Sequence, residues 1–504
     1  MQQEILISHN ILETRVAIIE NKKLEDYFIE RHDTERVVGN IYKGVVESVL
    51  PGMGSSFVNI GMERNGFLYV DDVTSTELNY DKVLEDVDEV LEPAPKRKKV
   101  RQISEVLKKS DEILVQVVKG PIGTKGPRLT TNISIPGHFV VLMPMGGVVG
   151  ISKRIEERSE RDRIKKILQE IRMPKNLGLI VRTAAEGVAR RDLAREIKYL
   201  MRLWSRIRER AKRAKPPSAV YEEYNLVLRV ARDMLTKNVA HIEIDSKQEF
   251  RHMIRLINAF SPGLRGKIRL HRGRMPLFEK NDINRQIDKI STRTVKLKCG
   301  GSIVIDETEG LVVIDINSGR YVGKKNLEET VFRTNMEAAE EIARQLRLRD
   351  LGGIIALDFI DMEVHEHRKR VFRTLSAAIE RDKAKTKILN MSQLGVVEMS
   401  RQRMRKSLEG QVSQDCPYCN GRGLVKSTST VSIDIIRKLE EYLSGNSAVR
   451  EVFVFVHSDV MNYITNPSKK ILQYFEKRFK KRIRVIEDPH AHIEDVRVGD
   501  KRNS

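Results

Sequence analysis

The pattern of apolar and polar residues near the start of the chain is that of short β-strands. Within residues 1–38, ILISHN and TRVAIIEN flank a polar turn and predict two strands. From Gly39 onward, short alternating strands are interrupted by glycine and Pro-Gly, which is typical of a small β-barrel. A charged stretch over 74–109 separates two groups of these strands. We therefore predict a barrel over residues 39–128.

Helical periodicity appears in the middle of the chain. FVVLMPMGGVVG at 139–150 predicts a hairpin, and LGLIVRTAA at 177–185 predicts a strand. Residues 190–215 have apolar positions at helical spacing and include Trp204. Pro216-Pro217 marks a boundary, after which helices and strands alternate.

The last 214 residues divide into three kinds of sequence. Residues 291–412 alternate strands and helices, which predicts an α/β layer domain. DCPYCNGRG at 415–423 is rich in turn residues. The remainder, 424–504, is basic and predicts a small α+β unit.

Length and charge narrow the class of protein. A chain of 504 residues is too long for one core, so we expect several domains. The formal net charge is +21, which favours a polyanionic partner through attraction and counterion release. Residues 151–217 hold 21 Lys/Arg against 9 Asp/Glu, a local excess of 12, and RNA contact is the favoured interpretation. A second basic run, 93–101, fits RNA contact or a solvated loop equally well.

The sequence has features of a cytoplasmic protein. Its start lacks a charged segment followed by an apolar one, so we expect no signal peptide. No apolar run reaches the 18 or so residues of a membrane span. Three cysteines exclude a disulfide scaffold and suit a reducing compartment.

Three polar residues near strand ends form the clearest candidate for catalysis. Asp315 and Asn317 lie in VVIDINSG, and Asp358 lies in IIALDF. Ligands gather at the carboxyl ends of strands in open α/β sheets, and Mg²⁺ takes one or two carboxylates plus substrate phosphate. Such an ion could polarise a phosphate and activate water. The alternative is structural, since an Asp after a strand often caps a helix or begins a turn.

Cys416 and Cys419 form a candidate zinc site. Thiolates two residues apart, followed by Gly421 and Gly423, suit a zinc knuckle. Structural zinc requires four ligands and this segment supplies two, and one solution is symmetric, with two chains each giving two thiolates to one ion. The alternative is a redox CxxC, for which we expect the thioredoxin βαβ context to be missing.

Two further candidates have structural alternatives of equal or greater weight. Phe57 and Phe67 lie on barrel strands and could stack on bases or, more simply, fill the barrel core. Arg182-Thr183 follows a strand and could hold a terminal phosphate or serve only structure.

A family resemblance strengthens all four candidates. The run GGSIVIDETEGLVVIDINSG at 300–319, with NLEETVFRTNMEAAEEIARQLRLRDLGGIIALDFIDM at 326–362, resembles the catalytic segment of the ribonuclease E/G family. The resemblance covers nearly the whole chain, and its ending near 504, without a long tail, is like the shorter members of the family.

The resemblance implies roles for individual residues. Asp315 and Asp358 match the Mg²⁺ ligands, and Asn317 matches the catalytic asparagine. Cys416 and Cys419 match a zinc-link that two protomers share in homodimers or homotetramers. Residues that match RNA contacts of an S1 domain are Phe57, Phe67 and Lys125. Residues that match a 5′-monophosphate sensor are Val141, Lys153, Arg182 and Thr183. Lys153 stands where the family has arginine, so Arg154 could substitute for it.

The implied fold class is multidomain α/β and α+β. An S1 (OB-type) barrel would be inserted in a split RNase H-like domain, followed by a DNase I-like catalytic domain, a zinc-link and a small C-terminal domain. The expected domains are RNase H-like at 1–38 and 216–290, S1 at 39–128, the sensor at 129–215, DNase I-like at 291–412, the zinc-link at 413–423 and the C-terminal domain at 424–504.

The resulting hypothesis is an Mg²⁺-dependent endoribonuclease. It would cleave single-stranded RNA in rRNA maturation and mRNA turnover, leave 5′-phosphate and 3′-hydroxyl ends, and favour 5′-monophosphorylated substrates. The alternative is a non-catalytic S1-type RNA-binding or assembly protein, which would have no need for the carboxylates of DIN and LDF together.

Overall fold

The structure is a computed structural model that describes most of the chain. The described residues are 3–32, 36–73, 87–92 (backbone only), 102–121, 125–144, 149–171, 173–174, 177–236, 238–308, 310–319, 327–382, 384–403, 407–445, 449–466 and 470–500. The basic run 93–101 and most of the charged stretch 74–109 lie outside them. The chain forms two compact units, Met1–Ser407 and Leu408–Ser504.

The first sheet joins strands from two distant parts of the chain. Its described strands, in spatial order, are β16 (Ile268–Leu270), β15 (Val239–Ile244), β1 (Gln3–His9), β2 (Glu13–Glu20) and β3 (Lys23–Arg31). The parallel pairing of β1 with β15 sets Ile5 beside Ile242. Helices α4 (Leu226–Met234) and α5 (Lys247–Phe260) supply apolar residues to the same core. Strands from residues 1–38 and from residues 216–290 therefore contribute to one sheet.

The predicted barrel is confirmed. Its described strands are β4 (Ile41–Leu50), β5 (Ser55–Asn59), β6 (Gly66–Tyr69), β9 (Arg128–Thr130) and β8 (Glu112–Lys119). They close because β8 pairs with both β9 and β4. Strand β14 (Ser218–Tyr221) extends the barrel at β4. Helix α1 (Val70–Val73) follows β6.

A third sheet contains the region expected to sense a 5′ end. Its described strands run in the order β10 (Ile135–Pro136), β11 (Val140–Met143), β13 (Gly178–Val181), β12 (Val149–Ser152) and β7 (Val87–Glu92). The predicted 139–150 hairpin is wrong, because β13 lies between β11 and β12 and pairs with both. All four residues of β13 are buried, and this central position suits its continuous apolar sequence. Helices α2 (Arg158–Glu170) and α3 (Arg190–Arg213) pack in this core.

The fourth sheet is that of the predicted α/β layer. Its described strands run in the order β17 (Thr294–Lys296), β18 (Ser302–Glu307), β19 (Leu311–Asn317), β20 (Gly353–Asp358), β22 (Val396–Arg401) and β21 (Thr386–Ile388). Helices α8 (Leu327–Arg349) and α9 (His365–Ile379) bury one face of the sheet. The short helices α6 (Leu277–Lys280) and α7 (Ile283–Ile290) precede it.

The second unit is a small α+β fold. The described helices are α10 (Leu408–Val412), α11 (Thr428–Gly445), α12 (Ser458–Thr465) and α13 (Ile471–Phe479). The described strands are β23 (Glu451–Val456), β24 (Arg482–Glu487) and β25 (Val496–Gly499). Central β23 is parallel to β24 and antiparallel to β25, and α11, α12 and α13 cover a core of valine, isoleucine, leucine and phenylalanine.

In the part of the chain that the structure describes, no helix combines the length and the apolar character needed to cross a membrane.

Candidate functional site

The two candidate catalytic carboxylates are neighbours in the fourth sheet. Strands β19 and β20 are parallel, and their register sets Asp315 directly beside Asp358. Register partners on adjacent strands lie about 4.8 Å apart and point to the same face. Ile314 and Leu357, which precede the two aspartates, are fully buried against the helices. The aspartates therefore point away from the helices, towards the open face of the sheet.

Asn317 belongs to the same group of side chains. It lies two positions after Asp315 on β19 and is exposed. Its Nδ2 donates a hydrogen bond to Asp315 Oδ2 at 2.6 Å. The amide therefore orients one of the two carboxylates. The structure brings the three predicted residues together.

Glycines before β18 and after β19 allow the backbone at the ends of these two strands to approach closely. A β-carbon at Gly301 would lie 2.8 Å from the Asn317 carbonyl oxygen, which is closer than real contacts allow. Gly319 has φ +64° and packs against the Gly300 backbone. Only glycine fits both requirements at low cost, so the GG and SG elements of the sequence shape the site.

A buried asparagine holds the chain that follows Asp358. Asn335 on α8 is 0% exposed. Its Nδ2 donates to the Ile360 carbonyl oxygen at 2.8 Å, and its Oδ1 accepts from the Ile360 N–H at 3.2 Å. Sequence analysis missed this residue. Its signal was a polar residue on the apolar stripe of α8, beside Ala338 and Ala339.

The carboxylate site suits a hard divalent cation with few protein ligands. Among the described residues, no group of three or more His, Cys, Asp or Glu side chains is placed to hold a metal. Asp315 and Asp358 supply two carboxylates on the open face of the sheet. One or two carboxylates, with water and substrate phosphate, form the usual coordination of Mg²⁺. The residues present fit that ion.

The barrel aromatics are not core residues. Phe57 and Phe67 are register partners on β5 and β6, with ring centroids 6.0 Å apart in an edge-to-face arrangement. Val58 and Leu68, next to them in sequence, are fully buried in the barrel core. Because side chains alternate along a strand, the two rings lie on the outer side, where they are half-buried. An outward aromatic pair can stack on bases.

Lys125 lies close to the same strand. It is exposed, and its chain neighbour Gly126 approaches the Asn65 carbonyl oxygen so closely that a β-carbon there would be 2.0 Å from it. The Phe67 N–H donates to the Pro127 carbonyl oxygen at 2.7 Å. The 125–128 segment therefore runs beside β6.

The candidate sensor residues gather at one edge of the third sheet. Strands β12 and β13 are parallel with Ile151 beside Val181, so Lys153 and Arg182-Thr183 both follow the carboxyl ends of these strands. Val141 pairs with Ile180 and shares a face with Arg182. Lys153 and Thr183 are exposed. Lys153 and Arg182 supply positive charge, and Thr183 supplies a hydroxyl, at the carboxyl ends of β12 and β13.

Arg182 is anchored by an acidic partner that sequence analysis missed. Its Nη1 donates to Asp233 Oδ1 at 2.7 Å and to the Gly137 carbonyl oxygen at 2.6 Å. Asp233 also accepts from Arg232, which pairs with Glu223 at 2.7 Å. Burial alone would raise the pKa of Asp233, but the two guanidiniums hold it below the ordinary value. The pair fixes the direction of the Arg182 guanidinium, and Nη1 makes both hydrogen bonds.

Glu196 organises the segment that Arg182 contacts. This carboxylate of α3 is 1% exposed and accepts hydrogen bonds from the N–H groups of His138, Phe139 and Val140 at 2.5, 2.7 and 3.2 Å. Burial raises the pKa of Glu196 to about 7, although the three donors oppose the shift. Its sequence signal was a carboxylate on the apolar stripe of α3, three positions after Leu193.

The two C-terminal cysteines lie in a tight turn before α11. Cys416 is exposed, and the Gly423 N–H lies 3.2 Å from Cys419 Sγ. Hydrogen bonds from the Cys419 and Tyr418 backbone lower the pKa of Cys416. Donors directed at sulfur favour thiolates, the form that binds zinc. Among the described residues, these cysteines belong to no group of three or more His, Cys, Asp or Glu side chains placed to hold a metal.

Comparison with known proteins assigns most of the chain. The ribonuclease E/G family model matches residues 134–404, and a model for the RNase E/G thioredoxin-like domain matches residues 415–502. Ribonuclease G of Escherichia coli K12 is 42% identical over 440 residues, covering 87% of this chain and 88% of that protein.

Two other relatives extend the comparison. Ribonuclease G of Haemophilus influenzae is 41% identical over 484 residues, covering 96% of each chain. Ribonuclease E of Escherichia coli K12 is 36% identical over 499 residues, covering 97% of this chain and 45% of that protein. The higher identities belong to the shorter relatives, as the sequence analysis expected.

One expectation about the cysteines is wrong. The thioredoxin-like match shows that the fold context thought to be missing is present, as the parallel β23–α12–α13–β24 unit. The βαβ pattern was hidden because two short helices replace one long crossover helix. Cys416 and Cys419 nevertheless lie in a turn, twelve and nine residues before α11 begins at Thr428, and not at a helix N-terminus that would activate a redox thiol.

The raised pKa of Glu196 predicts a pH-dependent stability. The pKa is about 7 in the folded protein and 4.5 as a reference for the unfolded chain, so folding takes up a proton between these values. At a pH below 4.5 the carboxyl is protonated in both states, so burying it costs no charge desolvation. At a pH above about 7 it is ionised in both states, and the full cost of burying the charge opposes folding. We expect the free energy of unfolding of wild type to fall relative to that of Glu196→Gln by up to roughly 3 kcal/mol between about pH 5 and about pH 8.

Urea unfolding followed by Trp204 fluorescence measures this difference, because Trp204 lies on the same helix and in the same core. Glu209→Gln, at an exposed position of that helix, is the matched control and should show no such trend. A gap between wild type and Glu196→Gln that stays constant with pH would contradict the assignment.

Proposed function

Because the chain belongs to the ribonuclease E/G family, we propose that it is an Mg²⁺-dependent endoribonuclease that cleaves single-stranded RNA. The observation that carries the proposal is the register of Asp315 beside Asp358 on the open face of the fourth sheet. A protein that only bound RNA would gain nothing from two adjacent carboxylates, which repel phosphate unless a cation lies between them.

Asp315 and Asp358 would hold the magnesium ion. When bound there, Mg²⁺ would supply Lewis acidity for the scissile phosphate and lower the pKa of the attacking water. Asn317 keeps the Asp315 carboxylate in one orientation through its 2.6 Å hydrogen bond. Asn335 fixes the backbone two residues after Asp358. In-line attack by water would leave a 5′-phosphate and a 3′-hydroxyl.

The barrel would act as an S1-type RNA-binding domain. The outward pair Phe57 and Phe67 offers stacking surfaces worth about 1–3 kcal/mol per base. Lys125 adds an exposed cation beside the same strand. Single-stranded RNA fits this surface because its unpaired bases are free to stack.

The edge formed by Val141, Lys153, Arg182 and Thr183 would bind a 5′-monophosphate. Asp233 orients the Arg182 guanidinium, and Thr183 offers a hydroxyl donor beside it. A terminal phosphate carries more charge than an internal one, so a cationic edge discriminates between 5′-phosphate and 5′-hydroxyl ends. We assign this role to the 129–215 region.

Cys416 and Cys419 would share one Zn²⁺ with the same two residues of a second chain. Two thiolates satisfy half of a tetrahedral site, and two-fold symmetry supplies the other half. Zinc therefore implies a homodimer, or a homotetramer built from such dimers. The 413–423 segment would be the zinc-link.

The remaining domains follow the family assignment. Residues 1–38 with 216–290 would be RNase H-like, 291–412 DNase I-like, and 424–504 a small C-terminal domain. We assign the enzyme to the cytoplasm, with rRNA maturation and mRNA turnover as its roles.

Removal of either carboxylate should abolish cleavage without loss of RNA binding. We expect Asp315→Asn and Asp358→Asn each to lower kcat by at least about a hundredfold, because the metal stabilises the transition state by several kcal/mol. Cleavage of a fluorescent 5′-phosphorylated RNA oligonucleotide measures the rate as Mg²⁺ is titrated. Near-normal cleavage by both variants would contradict the assignment of the catalytic metal site to Asp315 and Asp358.

Asp306→Asn is the matched control for these variants. Asp306 is a half-buried carboxylate of β18 on the same sheet, paired with Arg293 at 2.5 Å, and its loss should leave kcat within about twofold. The same oligonucleotide with a 5′-hydroxyl should be cleaved more slowly than the phosphorylated form. Equal rates for the two would remove the sensor from the proposal.

Loss of the thiolates should reduce both zinc content and molecular mass. We expect wild type to hold about half a zinc per chain, and Cys416→Ser with Cys419→Ser to hold none and to form smaller assemblies, since the shared ion links two chains. Elemental analysis and light scattering measure the two quantities. Cys299→Ala, which removes the buried cysteine of the fourth sheet, is the control and should keep both. An unchanged mass in the double variant would contradict a shared ion.

A further inference from the structure

The outer face of α3 carries a row of cations along its whole length. Arg191, Lys198, Arg202, Arg206 and Arg213 are all exposed and recur at spacings of four and seven residues. At 100° per residue these positions cover one narrow face of the helix, opposite the apolar stripe that contains Leu200 and Trp204. We call this row the α3 basic stripe. A helix of 24 residues makes it about 36 Å long.

The stripe cations lack ion-pair partners among the residues that the structure describes. Among the described residues, no ion pair involves any of these five side chains, although Arg190, Arg195 and Lys212 on the same helix pair with Glu170, Asp192 and Glu209. Arg202 Nε donates only to the Lys198 carbonyl oxygen of the helix itself. The five stripe cations therefore remain available to a ligand.

Another long helix of the same unit distributes its charges differently. Helix α8 has 23 residues, and three of its four arginines pair with glutamates: Arg333 with Glu337, Arg344 with Glu341, and Arg347 with Glu25. Like charges four residues apart destabilise a helix, whereas opposite charges stabilise it. A face selected only for solubility would mix the two signs, as α8 does. The stripe face holds one acidic residue, Glu209, which pairs with Lys212, against the five stripe cations, and this excess of one sign indicates an anionic partner.

The chemistry of the stripe favours a nucleic acid backbone over a membrane surface. A helix that lies on lipid exposes large apolar side chains beside its cations. The apolar residues of α3 are directed into the core instead, and none of the exposed large hydrophobic residues belongs to α3. A narrow line of cations about 36 Å long matches a linear polyanion such as an RNA strand.

The two ends of α3 lie beside the two proposed RNA sites of the first unit. The helix begins at Arg190, seven residues after Thr183 of the proposed sensor. Beyond its other end, Lys43 of barrel strand β4 donates to the Ala214 carbonyl oxygen at 3.1 Å. An open depression of about 560 Å³ at this end is lined, among the described residues, by Ser205, Arg206, Glu209, Arg210, Arg213 and Ala214.

We propose that the α3 basic stripe is a further RNA-binding site, a track for the phosphate backbone of the substrate outside the cleavage site. The proposal deepens the proposed function and rests on it for the identity of the polyanion. The stripe would engage several consecutive phosphates without reading sequence, because arginine and lysine contacts to phosphate carry no base information. It would therefore raise the affinity for long RNA and leave the chemistry of cleavage unchanged.

The test compares two variants of α3 that each lose three charges. The stripe variant carries Lys198→Gln, Arg202→Gln and Arg206→Gln, and the control carries Arg190→Gln, Arg208→Gln and Lys212→Gln on another face of the helix. Glutamine has nearly the same helix propensity as arginine and lysine, so both variants should fold. The affinity of a single-stranded RNA of about 30 nucleotides is measured by fluorescence anisotropy without added Mg²⁺, over a range of salt concentrations.

We expect the stripe variant to lower the slope of log affinity against log salt by about 2, since each lost contact to single-stranded RNA accounts for about 0.7. Its affinity near physiological salt should fall at least about tenfold, and its kcat should stay within about twofold of wild type. The control should keep the wild-type slope. An unchanged slope in the stripe variant, or equal losses in both variants, would overturn the track.

The salt-slope measurement can succeed or fail independently of the cleavage assay that tests the proposed function. If wild type binds the RNA but does not cleave it with Mg²⁺, the endoribonuclease proposal fails, while the salt slopes still decide the track. Binding to vesicles that contain phosphatidylglycerol is measured for the same variants. Loss of vesicle binding in the stripe variant, with RNA binding unchanged, would assign the face to a membrane and contradict the proposal.

Discussion

The parallel register of β19 and β20 is the constraint on which the candidate active site depends. Asp315 and Asp358 are 43 positions apart in sequence, and only this pairing brings them side by side. The register is set by burial, because Ile314, Ile316, Ile355 and Leu357 must all face the helices. A slip of one residue would turn an aspartate into the core and an isoleucine out of it. The hydrophobic effect thus positions the charged groups.

Sequence predicted the parts of the fold that depend on local pattern. Each aspartate follows an apolar strand, so a place near a strand end could be foreseen, and the alternation from Gly39 predicted the closed barrel. The order of strands in a sheet depends on distant segments. The 139–150 hairpin was wrong for this reason, since β13 arrives from almost thirty residues later and separates β11 from β12.

The residues that sequence analysis missed hold other residues in place. Asp233 orients Arg182, Glu196 gathers three backbone N–H groups, and Asn335 holds the chain after Asp358. Their partners lie 25 to 58 positions away in sequence. Glu196 and Asn335 interrupt apolar helical stripes, which is a usable signal for buried polar residues. The outward direction of Phe57 and Phe67 required the strand register, because sequence alone favoured the core.

Charged residues are arranged in two different ways in this protein, as pairs around Arg182 and as a row of cations on α3. Around Arg182, buried acids and bases are paired and fix geometry, while the outer face of α3 leaves its cations unpaired within the described residues. The first arrangement gives precise placement of one guanidinium. The second gives a long field that attracts a polyanion. Some of the charged residues of this chain, whose net charge is +21, therefore fix the structure, and others serve the recognition of a partner.

The proposed function requires Asp315 and Asp358 to bind one divalent cation jointly. A crystal soaked in Mn²⁺, which replaces Mg²⁺ and scatters anomalously, would locate that ion. We expect one anomalous peak within about 2.0–2.3 Å of an oxygen of each carboxylate, on the open face of the sheet. A fully occupied Mn²⁺ elsewhere, with no peak between the two aspartates, would contradict it.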